Sequence, residues 1–384
     1  MILDDVPAVD VMDFDEAPSL GRDLAALVVI KGFHQIEQNE RYTRRLIEGG
    51  PLGRIDIREY RQGVAFAAIL DEDFLSDGNF SRSEVCFFGL EPHWVDFAGD
   101  WMIIAFGDEL LFYDCRSGET RRLKNAWFGQ IHSAVVSPDR RHVLVTSTGF
   151  DSIVECEIQT GLVTWRWCAW EHGFDVAGEG HQIRLADHGA GGASPLVLVD
   201  GRPAVLTSGG RQFGLPMRLQ TCHINHARYA GGDVLAVFFH QGAVFRIDRR
   251  TGAHIECLRG LRCPHGLFPA NAAEYFISDT QSGRILFLDR EFAPKRALGI
   301  ANLPNIVAAR SRATEWLQCT DLHEGGLLCA VDVHRSQIHI LDVAARRRRS
   351  INAPRHWAMQ RVVPVTPANP IRARLGRPEA PTGA

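Results

Sequence analysis

The chain has 384 residues, of which 45% are hydrophobic and 23% charged, with a formal net charge of −4. That composition suits a folded chain with a sizeable core. The charge gives no case for a nucleic-acid partner, and no apolar run approaches the roughly 18 residues of a membrane helix. The acidic opening MILDDVPAVDVMDFDE lacks the basic and apolar regions of a secretory signal, and the nine cysteines contain no CxxC pair, so the sequence reads as a cytoplasmic protein with reduced thiols.

In chain order, residues 1–18 read as extended or disordered. Ser19 caps a predicted helix running to about Glu48, with Leu24, Leu27, Val28, Ile30, Phe33 and Ile36 as its apolar stripe, ended by Gly49-Gly50-Pro51. Strand-like segments follow at 54–60, 64–70 and 84–88. Then a unit repeats. His93, His132 and His226 each stand seven residues before an aspartate, at Asp100, Asp139 and Asp233. Each is followed by an apolar run, a turn and a second run ending near an acidic residue, and His265 opens a further copy. The intervals His93 to His132 and His226 to His265 are both 39 residues. A period near 40 residues built of short strands is the signature of a β-propeller.

The copies span 93–123, 132–167, 226–258 and 265–298. The 94 residues between His132 and His226 leave room for one more, opened by His181 before Asp187. A later copy (WLQCTD, LLCAVDV, QIHILDV) lacks the histidine near Cys319 or Thr320. His356, in HWAMQRVVPV, opens a closing blade completed by the strands at 54–60, 64–70 and 84–88. The expected fold is therefore all-β: a seven-bladed propeller over residues 53–365, after an N-terminal helical extension (1–52) and before a disordered tail (366–384). Six blades is the alternative, if 171–222 is an elaborated connection.

Equivalent positions of propeller blades converge on one axis, so histidines in one register predict a ring of imidazoles. Neutral imidazole binds Fe²⁺, Zn²⁺ or Mn²⁺ at ~2.0–2.2 Å. The candidate ligands are His132, His226 and His265, then His93, His181 and His356. The competing reading is a repeat histidine bonded to its own aspartate. His223 and Asn225 share one face of an extended strand and His226 faces the other way, unless a bulge brings both to the axis. His172, with Glu171, Asp175, Glu179, Asp187 and His188, falls in a Gly-rich insertion able to act as a lid with a general acid or base.

The segments TGLVTWRW, HIN, VFRIDRRTG and CPHGLF resemble bacterial arylsulfotransferases of the propeller type over about residues 130–290. The resemblance implies a six-bladed propeller that moves a sulfuryl group through a covalent sulfohistidine. It places His132 as an early channel histidine, His223 and Asn225 as the HxN pair and His265 as the nucleophile. That family is exported and carries a sulfate-binding arginine after HxN; here His240 stands nearest that place, which weakens anion binding. Three functions follow: metal-assisted lyase, hydrolase or oxygenase chemistry on a small molecule; group transfer through His265; or an interaction scaffold without catalysis. No sequence feature fixes an oligomeric state.

Overall fold

A computed structural model describes residues 3–38, 40–41, 60–70, 83, 85–188, 194–304, 315–323 and 325–375. Six sheets dominate it, each with four antiparallel strands, and two of them carry a fifth, parallel strand. Blade 1 runs Trp94–Ala98, Trp101–Ala105, Glu109–Asp114 and Thr120–Lys124. Blade 2 runs Ile131–Val136, His142–Ser147, Ser152–Glu157 and Val163–Cys168. Blade 3 runs Ile224–Ala230, Asp233–Phe238, Ala243–Asp248 and His254–Arg259. Blade 4 runs His265–Pro269, Glu274–Asp279, Arg284–Asp289 and Pro294–Gly299. Blade 5 runs Leu317–Leu322, Leu327–Asp332, Gln337–Asp342 and Arg347–Asn352. Blade 6 joins the C-terminal strand Met359–Pro364 to Ala25–Ile30, Gln62–Ile69 and Cys86–Leu90.

The first strands of blades 1 to 6 touch in that order, and the sixth touches the first. The fold is a β-propeller, and its inner ring has six members among the described residues. Between blades 2 and 3 lies the insertion 169–222. Its pieces, Ile183–Asp187, Leu196–Val199, Arg202–Pro203, Thr207–Ser208 and Arg211–Gln212, are short and pair only with one another. It supplies no inner strand, because blades 2 and 3 already touch directly. The seventh copy expected from His181 is therefore the connection named as the alternative. The close seat of this insertion needs glycine: Gly214 has φ +76°, and a Cβ there would stand 2.2 Å from the Gly149 carbonyl oxygen.

The helix expected from Ser19 is overturned at its centre. Ala25–Ile30 is the second strand of blade 6, and all six of its residues are buried. A short apolar run buried on both faces satisfies a helical stripe and a strand equally well. Only 35–38 and 40–41 are helical in the described part of that span. The expected strand 54–60 falls almost wholly outside the described residues. Further upstream, Ala8–Asp10 adds in parallel to the outer edge of blade 4 and Asp15–Glu16 to that of blade 5, covering two open edges. Downstream, Ile371–Arg374 forms a helical turn with Ile371 buried; residues 376–384 lie outside the description. No described helix is long and apolar enough to cross a membrane.

Ring closure brings a charge into the core. Arg361 of blade 6 is 4% exposed. It grips Asp321 of blade 5 through two bonds of 2.8 and 2.5 Å and donates to the Val95 carbonyl of blade 1 at 2.6 Å. Its guanidinium lies 3.6 Å above the Trp94 ring. Three blades at the seam thus share one cation. Removing one partner of such a pair leaves a buried charge uncompensated. Arg361→Ala is expected to destabilise by about 3–5 kcal/mol, and Arg361→Met with Asp321→Leu by clearly less. Urea unfolding of both variants measures this; equal losses would mean that the seam depends on side-chain volume and not on charge pairing.

Candidate functional site

Five of the six inner strands begin irregularly; the pairing of blade 1 is regular from Trp94 onward. In blade 2 the pairing jumps from Ile131 to Ser133, leaving His132 as the extra residue; in blade 3 it jumps from Ile224 to His226 across Asn225. In blade 4 it jumps from His265 to Leu267, in blade 5 from Leu317 to Thr320, and in blade 6 across Gln360. Such a bulge sets the strict two-residue alternation aside, so consecutive side chains can both face the axis. The equivalent axial residues are His93, His132, Asn225, His265, Gln318 and Gln360.

In four blades the residue two places earlier has a left-handed backbone: Glu91 (φ 46°), Gln130 (φ 50°), His223 (φ 50°) and Cys263 (φ 53°). In three of them this turns a carbonyl onto the imidazole that follows. His93 Nδ1 lies 2.8 Å from the Glu91 oxygen, His132 Nδ1 2.8 Å from that of Gln130, and His265 Nδ1 3.1 Å from that of Cys263. A carbonyl only accepts, so Nδ1 carries the proton in each and Nε2 keeps its lone pair. His223 reaches the same state by another route. Gln220 Nε2 donates to the Leu215 carbonyl at 2.8 Å, which fixes the amide so that its Oε1 faces His223 Nδ1.

His132, His223 and His265 line a pocket at this end of the axis, with Lys31, Tyr60, Glu91, Gln130, Phe213, Met217, Phe239, Trp316, Gln318 and Gln360. Its cavity volume is about 80 Å³, several times the roughly 10–15 Å³ one water occupies by this measure. The imidazoles form a chain: His93 and His132 have ring centroids 4.4 Å apart, His132 and His223 4.7 Å, and His223 and His240 5.3 Å. Burial is the first cause holding them neutral. His132 and His265 are each lowered to about 3, and His93 and His223 well below the ordinary value, with the Lys31 charge adding to the effect. The Nε2 of His93 is buried without a hydrogen-bond partner. Burial also raises the Glu91 carboxyl, against the pull of Lys31, whose ammonium is 3.7 Å away.

His226 stands apart. It accepts the Leu267 N–H through Nδ1 at 3.1 Å, which leaves its proton on Nε2, the opposite tautomer. Its ring stacks on Trp94 at 4.9 Å and packs on Phe268 at 5.1 Å. It follows Asn225 in the chain as Trp94 follows His93 and Arg361 follows Gln360. These second residues form a packed floor beneath the pocket. The spacing of 39 residues from His226 to His265 had aligned a floor residue with a rim residue. Asn225 takes the rim place, its amide bonded to the Pro264 carbonyl at 3.1 Å.

The remaining candidates lie elsewhere. His181 pairs with Asp200 at 2.7 Å within the insertion. His356 is exposed, with its ring 6.1 Å from Phe33. His172 stacks on Trp167 at 4.9 Å, and Glu171 faces Arg166 and His188. His240 bonds the Gln220 carbonyl at 3.1 Å at the end of the imidazole chain. The insertion does reach the pocket, but through Phe213 and Met217. Tyr60 stacks on Phe213 at 3.9 Å, and Gln130 holds the Phe213 and Leu215 carbonyls. Among the described residues no three His, Cys, Asp or Glu side chains are placed to hold a metal ion. Among the described residues that line the pocket there is no arginine. Sequence reasoning missed Lys31, Glu91, Gln318 and Gln360. The last two occupy the histidine register in WLQ and AMQ, a signal readable only with the bulges in hand.

No family model and no curated sequence matches this chain. Among solved structures it is similar to virginiamycin B lyase from Staphylococcus aureus (12% identity, TM-score 0.40, 68% of this chain and 84% of that one). It is also similar to a chain of a nidogen–laminin complex (9%, TM-score 0.47, 88% and 97%) and to a protein of unknown function from Bacteroides caccae (10%, TM-score 0.46, 89% and 99%). At these values the likenesses carry nothing about activity.

Neutral buried histidines predict the response to acid. A lowered folded-state value means that the unfolded chain takes up protons first, so the stabilisation is present above about pH 6.5 and is lost as pH falls below it, toward 3 for His132 and His265. His93, His132, His223, His226 and His265 all shift this way. Each is expected to steepen the loss toward about 1.4 kcal/mol per pH unit. Denaturant titrations between pH 7 and 5 should show stability falling steeply, and less steeply in His226→Asn. A flat profile would show that these imidazoles protonate within the fold.

Proposed function

We propose that the axial pocket is the active site of an enzyme acting on a small molecule, and that it works through imidazole lone pairs. The observation that carries this is the shared tautomer: four histidines are held as Nδ1–H, with Nε2 as the acceptor atom. Imidazoles held neutral this firmly are weak proton carriers but good acceptors for substrate hydroxyl or amine groups. The proton-transfer group of this reading is Glu91, whose carboxyl lines the same pocket and is raised by burial. It would take a proton from the bound substrate and return it to the product.

A second reading assigns the lone pairs to a divalent transition metal, Fe²⁺, Zn²⁺ or Mn²⁺. The unpartnered Nε2 of His93 and the anchored Nδ1 atoms favour it, since metal-binding histidines characteristically donate their other N–H. It requires the imidazoles to turn inward, because as placed no three donors form a site. The arylsulfotransferase-like reading, with His265 as nucleophile, draws on the 2.8 Å contact of its Nδ1 with Thr280 Oγ1. The lack of arginine among the described lining residues weighs against a sulfuryl donor.

A thermal-shift screen of small hydroxylated and carbonyl compounds tests the proposal. A ligand at 100 times its Kd adds about 2.7 kcal/mol, so stabilising compounds are expected, with the effect lost in His132→Ala/His265→Ala and weakened in Glu91→Gln. Elemental analysis after exposure to Fe²⁺, Zn²⁺ and Mn²⁺ runs in parallel. About one bound equivalent, absent from the double variant, would give the lone pairs to a metal. Neither ligand nor metal would overturn the active-site proposal and leave a propeller scaffold.

A further inference from the structure

The two sides of the pocket differ in hydrogen-bonding sense. Blades 2 to 4 and the insertion end present acceptors, the Nε2 atoms of His132, His223 and His265. On the opposite side, which Gln35, Gln38, Glu91 and His334 also line, the sense of two glutamines is fixed by an indole. Trp316 Nε1–H donates to Gln318 Oε1 at 2.7 Å, and an indole can only donate. Gln318 must therefore offer its amide nitrogen onward, and it donates to Gln360 Oε1 at 2.9 Å. Gln360 is left with its NH₂ directed elsewhere, and Gln360 lines the pocket.

Lys31 adjoins it in the same blade. Ile30 pairs with Met359, and the Lys31 N–H donates to the Ala358 carbonyl at 2.8 Å. The Lys31 side chain is 15% exposed, and it is the one lysine or arginine among the described lining residues. Its Glu91 partner is at 3.7 Å, a loose pair that leaves donor capacity on the ammonium.

We propose that Lys31 and Gln360 form an oxygen-binding subsite, and that the substrate is a small hydroxy- or amino-substituted carboxylate or carbonyl compound. Its carbonyl or carboxylate oxygen sits between the Lys31 ammonium and the Gln360 amide, and its hydroxyl or amine donates to the imidazoles opposite. This rests on the lone-pair reading of the pocket. A ligand bearing hydroxyls alone offers the ammonium only a neutral oxygen, a weaker partner than a carboxylate, and an ester or ketone without a donor leaves the imidazoles unsatisfied.

The chain has only three lysines, Lys31, Lys124 and Lys295. Full-length protein labelled with ¹³C-lysine and ¹⁵N-histidine therefore gives three lysine Cε signals, assigned with Lys31→Met. Sodium glycolate is the probe, and ethylene glycol, which lacks the carboxylate, is the control. Glycolate is expected to shift the Lys31 signal saturably, leave the other two lysines unmoved, and shift the histidine Nε2 signals. Ethylene glycol, whose neutral oxygens are weaker acceptors, should shift Lys31 far less. Gln360→Leu should weaken glycolate at least tenfold and Gln360→Glu further, with histidine spectra reporting that each variant is folded. Two results overturn the proposal and differ in reach. If both probes move the histidines and neither moves Lys31, the pocket stands and the oxygen subsite falls. If glycolate moves neither residue type, the lone-pair reading falls with it.

Discussion

One extra residue at the start of five of the six inner strands is the constraint on which this site depends. A regular strand sends alternate side chains to opposite faces, so each blade would give the axis one side chain per two residues. The bulge lets two consecutive residues face inward, and each then has its own task. The first, His93, His132, Asn225, His265, Gln318 or Gln360, forms the rim; the second, as Trp94, His226 and Arg361 show, packs the floor. The left-handed backbone at Glu91, Gln130, His223 and Cys263 belongs to the same device. None of these is glycine, and each such conformation costs on the order of 1 kcal/mol or more. The cost is offset where the turned carbonyl receives a buried imidazole N–H that would otherwise lack a partner.

The floor is a packed layer beneath the pocket. Trp94, His226 and Phe268 stack across the axis, and Arg361 covers Trp94 on the way to Asp321. Ring closure and pocket floor are thus one structure, contributed by blades 1, 3, 4, 5 and 6. His226 is the clearest case of a histidine whose job is packing. Its acceptor bond from Leu267 joins blades 3 and 4, and the same bond leaves it the wrong tautomer for a rim imidazole.

Much of the fold was legible because strand patterning and turn residues are local. The copies at 93–123, 132–167, 226–258 and 265–298 lie within a few residues of blades 1 to 4, and the closing blade drew, as expected, on strands from both ends of the chain. Three things were not legible, each for a physical reason. AALVVI at 25–30 is buried on both faces, so its pattern carries no period to separate strand from helix. The segment 171–222 has turn residues and apolar pairs like a blade, and only the direct contact of blades 2 and 3 shows that it has no place on the axis. The bulges displaced the site by one residue. They made His226 look equivalent to His132, and they hid Gln318 and Gln360, whose chemistry differs from the histidines whose register they share.

The chemistry of the rim follows from charge as much as from position. A ring of imidazoles with ordinary titration would repel itself at mild acidity and would compete with Lys31 for any anion. Burial and the Lys31 ammonium together remove that option by keeping the ring neutral. The ammonium shares the pocket with these imidazole acceptors and has one buried carboxyl at 3.7 Å. A divalent cation entering among these imidazoles would feel the Lys31 charge without screening by bulk water, whereas a carbonyl or carboxylate oxygen would be drawn to it. The same arrangement that makes the Nε2 atoms available as donors of lone pairs is the physical basis of the proposed polar organic ligand, with its oxygen toward blade 6 and its hydrogen-bond donor toward the histidines.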